Sequence, residues 1–279
     1  MSVRTTTFTV SGAQHGMPLQ EFLIRRFSLS GNKAKALLDE RQVFVNGRRV
    51  WMARHPLAVG DKIEVHRPIV PAGRPAPPAE IDVLWSDDQY LIVNKPAGIL
   101  TEGRDGAEGR AATDGRLWAV HRLDRDTSGC LLLTRQPEGR EAMIPLFVAR
   151  TVDKLYHVVV TGRFPPHLDL IDAPVDQQPA VTHIRIIRRG LLASLLEVRI
   201  ETGRTHQIRK HVAGCGHPVV GDREYAATGE TPAELRVVPR QLLHASRLAF
   251  KHPQTGQRVQ VEAPWPADFR RWVKQFQLG

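Results

Sequence analysis

Apolar residues in this chain fall into short runs and brief alternations, broken at close intervals by glycine and proline, and only a few segments carry helical spacing. Leu19, Phe22, Leu23 and Phe27 form one apolar stripe, and Pro18 suits the first turn of the helix they predict. Ala34, Leu37 and Leu38 predict a second short helix over 33–39. Val43 and Val45 then alternate into Asn46-Gly47, a dipeptide that adopts the positive φ angles of a tight hairpin turn. A further strand is expected from 62, after the turn at Val59-Gly60-Asp61.

Five prolines between Pro68 and Pro78 forbid a helix or a central strand and predict an extended linker over 68–80. That linker divides a small segment, 1–67, from a large one, 81–279. In the large segment the apolar runs predict strands at 90–94, 130–134, 156–161, 182–188, 195–200 and 258–262, with helices over 138–147, 206–213 and 268–276. Strands and helices do not alternate regularly, so the pattern predicts an α+β fold built on a mixed, mainly antiparallel sheet. The glycine-rich stretch 103–115 has no periodicity and reads as a mobile loop.

Charge narrows the choice of partner. The 279 residues include 39 Lys and Arg against 29 Asp and Glu, a formal excess of +10. Such an excess points to a polyanion, because basic side chains gain affinity by displacing the counterions condensed on phosphates. No run approaches the roughly 18 apolar residues of a membrane span, and the first ten residues lack the apolar core of a secretory signal. The expectation is a soluble, cytoplasmic protein, monomeric by default. Cys130 and Cys215 are too few for a disulfide framework and form no Cys-x-x-Cys pair. His206 and His211 are five residues apart rather than the four that stack two ligands on one helical face, so no metal site is expected.

Four polar islands interrupt the strands of the large segment: LIVNKPAGIL, HRLDRDTSGCLLL, KLYHVVVTG and ETGRTHQIRKHVAGCGHPVVGD. In the first, a strand runs into a sharp turn that is either an ordinary strand end or able to hold the charged Lys95 near a cleft. In the second, His121, Arg122 and Asp124 crowd one loop ahead of an apolar strand. A surface turn capped by Asp126, Thr127 and Ser128 explains the turn residues but not that crowding. Tyr156 opens the third, and the fourth carries Arg204, Gln207 and Arg209, an arginine being able to grip a carboxylate through two nitrogens.

HRLDRDTSG, KLY, TGRTHQIRKH and GHPVVGDREY, followed by QLLHASRLAFKHPQTG and APWP, resemble the signature motifs of the RluA-type pseudouridine synthases. The small segment, through LLDERQVFVNGRRV and PLAVGDKIEV, is similar to an RNA-binding module first known from a small-subunit ribosomal protein, although Arg41 stands where glycine is common. The resemblance implies a pseudouridine synthase fold acting on structured RNA. Ribosomal RNA of the large subunit is favoured, and transfer RNA is the alternative. It implies Asp124 as the catalytic carboxylate, Tyr156 as the active-site tyrosine and Arg209 as the partner that keeps Asp124 charged and oriented. Arg122 is implied in extruding the target base, with His121 and Thr127 supporting the loop or touching RNA. Lys95, Arg204 and Gln207 are expected at the substrate, and Lys33, Lys35, Arg48 and Arg49 on the basic face of the small module. The isomerisation breaks a C–N glycosidic bond and makes a C–C bond to the same sugar without redox change, so no cofactor is expected. A non-catalytic RNA-binding or ribosome-assembly factor on the same fold is the competing reading.

Overall fold

The computed structural model describes residues 4–27, 31–39, 42–67, 81–112, 115–226 and 232–279. The chain divides into two compact units, Met1–Arg74 and Pro75–Gly279. The proline-rich stretch expected as a linker, 68–80, lies outside the described residues.

The first unit contains β1 (Arg4–Thr9), α1 (Leu19–Phe27), α2 (Gly31–Asp39), β2 (Val43–Val45), β3 (Arg48–Arg49) and β4 (Lys62–Arg67). Its antiparallel sheet runs β1-β4-β2-β3. Leu19, Phe22 and Leu23 of α1 and Ala34 and Leu38 of α2 are buried against Val43, Val45, Ile63 and Val65 of the sheet. The hairpin turns at Asn46 and Gly47, with φ of 51° and 73°. Sequence reading missed β1: its run of threonines has β-branched side chains but little apolar alternation, and its pairing with β4 is a long-range event.

The second unit contains β5 (Val83–Ser86), β6 (Tyr90–Lys95), α3 (Ala107–Ala111), β7 (Trp118–Ala119), β8 (Ser128–Thr134), α4 (Pro137–Val148), β9 (Asp153–Thr161), β10 (Leu170–Ile171), β11 (Thr182–Arg189), β12 (Ala193–Ile200), α5 (Gln207–Gly214), α6 (Ala233–Arg236), β13 (Leu243–Lys251), β14 (Arg258–Glu262) and α7 (Ala267–Gln275). The large sheet follows the path β10-β11-β12-β9-β13-β8-β6-β5, with β14 beside β13 and β7 beside β8. Among the described pairings of this sheet only β8 with β13 is parallel, so the α+β, mainly antiparallel expectation describes the fold. Apolar clusters cover both faces of the sheet. On one side α7 buries Phe269, Trp272 and Val273, at i, i+3 and i+4, against Val159, Leu195 and Leu242.

Two parts of the second unit differ from expectation. The glycine-rich stretch is not loop throughout, because Ala107 and Ala111, four residues apart, are buried against the core and fix the short helix α3. Strand β13 was not foreseen, yet it lies at the centre of the sheet. Its His244 faces Ser128 on one side and His157 on the other, and Ala245 likewise faces Gly129 and Tyr156. That register sets the start of β8 and the middle of β9 level with each other, one strand apart.

Candidate active site

The loop 121–127, which feeds β8, is pinned from several directions. The Thr101 hydroxyl donates to the Leu123 carbonyl (2.9 Å) and accepts the Leu123 N–H (3.0 Å). Lys95 is fully buried, and its Nζ donates to the carbonyls of Pro96, Ile99 and Arg125 at 3.0–3.1 Å. Sequence reading placed Lys95 at the substrate; instead its charge is absorbed by backbone oxygens, and it ties the turn after β6 to the loop of Asp124. Arg240 grips Asp268 of α7 through two nitrogens (2.7 and 3.0 Å) and donates to the carbonyl of Asp126 (3.1 Å). Gln241 donates to the buried Thr127 hydroxyl (2.8 Å), and its Nε2 is 3.5 Å from Asp124 Oδ2.

Asp124 opens onto a cleft of about 90 Å³ lined by Arg122, Thr127, Tyr156, Arg204, His206 and Arg209, among others. Arg209 reaches it from the first turn of α5, with Nη1 3.0 Å from Asp124 Oδ2. The rest of the guanidinium is engaged elsewhere. Nε and Nη2 hold the two oxygens of Asp222 (2.6 and 3.0 Å), and Nη2 also donates to Glu224 (3.0 Å). Burial opposes the charge on Arg209, but hydrogen bonding and attraction from Asp222, then Asp124, outweigh it and raise its pKa. Asp222 also accepts the N–H groups of Glu224 and Tyr225. The chain reaches that point through Gly221 at φ 79°, where a Cβ would stand 1.9 Å from the carbonyl oxygen of Arg240. Only glycine fits.

His206 precedes α5 in a left-handed conformation (φ 57°), with Nε2 3.6 Å from Asp124 Oδ1 and Nδ1 3.0 Å from the Tyr225 hydroxyl. The Tyr225 ring lies 4.9 Å from the Arg209 guanidinium. Tyr156 is buried in the wall of the cleft; burial first, and the charge of Asp124 second, push its hydroxyl pKa up, so the phenol stays protonated.

Asp124, Tyr156, Arg209, Arg122, Thr127 and Arg204 therefore meet around one cleft, with Arg122 and Arg204 exposed at its edge. Gln207 lines it too, but its amide is committed to Thr202, Val181, Thr182 and the Arg204 N–H, so it braces the wall rather than facing a substrate. His121 accepts the Leu132 N–H (3.1 Å), and burial, aided by the charge of Lys154, lowers its pKa to about 4. It is a neutral brace for β8. Sequence reasoning missed Asp222, His206 and Gln241 as members of the site. Asp222 lies within the GHPVVGDREY motif, but nothing in the sequence tied its carboxylate to Arg209. Among the described residues no cluster of His, Cys, Asp or Glu could hold a metal ion, and no helix is long and apolar enough to cross a membrane.

Comparison with solved structures fixes the class of fold. Human RNA pseudouridylate synthase domain containing 4 superposes with a TM-score of 0.59 at 20% identity, covering 70% of this chain and 92% of its own. An RNA pseudouridylate synthase family model matches residues 89–214, a span that includes Asp124, Tyr156 and Arg209. An uncharacterized RNA pseudouridine synthase of Mycobacterium bovis is 35% identical over 93% of this chain and 94% of its own. The ribosomal large subunit pseudouridine synthase D of Xanthomonas campestris is 36% identical over 68% of each chain. The chain belongs to the RluA-type family of RNA pseudouridine synthases, enzymes that isomerise uridine within RNA.

Proposed function

We propose that Asp124 is the catalytic carboxylate and that the substrate is a uridine in large-subunit ribosomal RNA. One observation carries the first part: the Asp124 carboxylate is paired with a buried guanidinium at 3.0 Å and opens onto a cleft walled by a protonated tyrosine. The reaction must break the bond between ribose C1′ and uracil N1, turn the ring, and join C1′ to C5, whose hydrogen leaves as a proton while N1 gains one. An ionised carboxylate serves as the nucleophile or base that such glycosidic chemistry needs. Arg209 orients it, and the Tyr156 phenol is a proton donor at the ring. A base stacked in RNA must first swing out, at a cost of a few kcal/mol, and the exposed Arg122 at the cleft edge fills the space it leaves.

The ribosomal assignment follows the Xanthomonas relative named above, and a cytoplasmic location goes with it. The small unit supports the same reading as an RNA-gripping module. Its α2 exposes Lys35 and its hairpin exposes Arg48 and Arg49; the Lys33 side chain, also expected there, lies outside the described residues. Two experiments test the proposal. Purified protein should release tritium from RNA labelled at uracil C5, and Asp124→Asn should abolish release while leaving RNA binding nearly unchanged. Mapping pseudouridines in cells with and without the protein should reveal a missing site in large-subunit ribosomal RNA. A site lost only from transfer RNA would replace the substrate assignment.

A further inference from the structure

Beside the Asp124 cleft lies a larger cavity of about 470 Å³, sharing with it Arg122, Tyr156, Ile200, Gly203 and Arg204. Its size falls in the roughly 300–1,000 Å³ range of small-ligand sites. It is lined by Lys154, a residue only 7% exposed. The Lys154 ammonium touches just the carbonyls of Glu201 and Thr202, at 3.5 and 3.4 Å, long for hydrogen bonds, and forms no ion pair among the described residues. The cavity wall carries four cationic side chains, Arg122, Arg150, Lys154 and Arg204, against one carboxylate, Glu201. That carboxylate is already held by Arg150 at 3.0 Å and His183 at 2.7 Å.

A buried ammonium without a counter-charge, in a cavity with an excess of cations, is destabilised, and an arriving anion or a departing proton relieves that cost. Burial, and then the charge of Arg150, already lower the Lys154 pKa to about 8. Beside these cations the lining is aromatic: Phe147 has the Lys154 Nζ 5.6 Å from its ring and the His121 ring 5.8 Å away. Cations and an aromatic ring lining one cavity match a nucleotide, with a phosphate for the charges and a base for the ring.

We propose that this cavity is a subsite for the nucleotide adjoining the target uridine, Lys154 and Arg150 taking its phosphate and Phe147 its base. The proposal rests on the target uridine entering beside Asp124, since the two cavities share a wall. Occupancy of both would hold the target base out of its stack through its neighbour, and would restrict the sequence or shape of RNA that can be modified. Lys154 is a binding residue in this scheme. The chemistry remains with the groups around Asp124.

The probe is the stem-loop surrounding the uridine identified by the cellular mapping, together with copies carrying one neutral methylphosphonate linkage at each position around it. One linkage next to the target should weaken binding to the wild-type protein about tenfold, the effect of losing one charge-assisted contact. Lys154→Met should weaken binding of the natural RNA by a similar factor, raise KM and leave kcat little changed. The same methylphosphonate should then cost the Lys154→Met protein little more. Arg150→Gln, an exposed position, should show the same non-additivity if Lys154→Met fails to fold. Fully additive losses at every linkage, or unchanged affinity in both variants, would overturn the subsite. Binding is read here without turnover, so the outcome is separate from the Asp124 assignment, which stands or falls on tritium release.

Discussion

Arg209 gives its two-nitrogen grip to Asp222 and only a single nitrogen to Asp124. The residue expected to clamp the reacting carboxylate is itself clamped by a second, more deeply buried one. Two roles are thereby divided: Asp222 neutralises and aims the guanidinium, and on the proposed assignment Asp124 keeps its remaining oxygen capacity for the substrate. Asp222→Ala removes the two-point buried partner of Arg209 and leaves the guanidinium to Asp124 and Glu224, so it should cost about 1–3 kcal/mol, the range for buried donors left without a partner. Asp124→Asn, at a partly exposed position, should unfold close to the wild-type midpoint. Urea unfolding of the two variants checks this; equal midpoints for Asp222→Ala and wild type would remove Asp222 from the role.

Tyr156 should not titrate in the working range. Burial and the neighbouring Asp124 charge hold its proton, so any alkaline limb of kcat between pH 7 and 10 should persist unchanged in Tyr156→Phe. The same variant should lower kcat by about 10²-fold, the low end for loss of a positioned proton donor, with little change in KM. A pH profile whose alkaline limb disappears with the hydroxyl would reassign Tyr156 as an ionising group.

Much of the fold was legible where sequence pattern and burial coincide. The apolar run of β8, the stretch of β9 from Tyr156 and the i, i+3, i+4 stripe of α7 all identify themselves. Strand β13 was hidden because its polar residues look like a break: His244, Ser246 and Arg247 interrupt the apolar run. In the fold those groups find partners across the sheet, His244 with Ser128 and the Ala263 carbonyl, and Ser246 with the Leu155 carbonyl. A buried polar group is acceptable once bonded, and the bonding depends on strands far away in sequence. The site divides the same way. Asp124, Tyr156 and Arg209 stand in recognisable motifs, whereas the contacts of Asp222, Gln241 and Lys95 are set by tertiary packing.

Acid should weaken the fold through its histidines. His244 donates from Nε2 to the Ala263 carbonyl and accepts the Ser128 hydroxyl on Nδ1, so the buried ring is neutral. Burial lowers the pKa of both His244 and His121 to about 4, from 6.5. Between those values the unfolded chain binds protons that the folded chain refuses. Stability is therefore complete above pH 6.5 and is lost as pH falls towards 4. Unfolding midpoints measured at half-unit steps should fall across this window. In His244→Asn, which removes the ionising ring, the slope should be shallower by about one proton. An identical slope in that variant would mean His244 is charged in the fold.

Lys95→Met separates a structural lysine from a substrate-binding one. Three carbonyls lose their donor, and unsatisfied buried acceptors cost about 1–3 kcal/mol each before relaxation. A clear drop in melting temperature is expected, with kcat reduced as the Asp124 loop loosens. RNA affinity should be preserved, because the ammonium is enclosed. A variant with normal stability and weakened RNA binding would restore Lys95 to the substrate.

On the proposed reading, the small unit contributes charge rather than chemistry. Arg48 and Arg49 are both exposed on the hairpin, with the Arg49 guanidinium 5.2 Å from the Phe44 ring. Each phosphate neutralised releases about one counterion, so affinity falls with salt in proportion to the number of such contacts. Replacing both arginines by glutamine should weaken RNA binding at low salt and reduce the slope of log affinity against log salt by about one per arginine. Single-turnover rates at saturating enzyme should be unchanged if the hairpin only holds the RNA. If the slope stays the same while affinity drops, the hairpin acts through its fold and not through phosphate contacts. If the saturated rate falls, the small unit takes part in presenting the uridine as well as in holding the RNA.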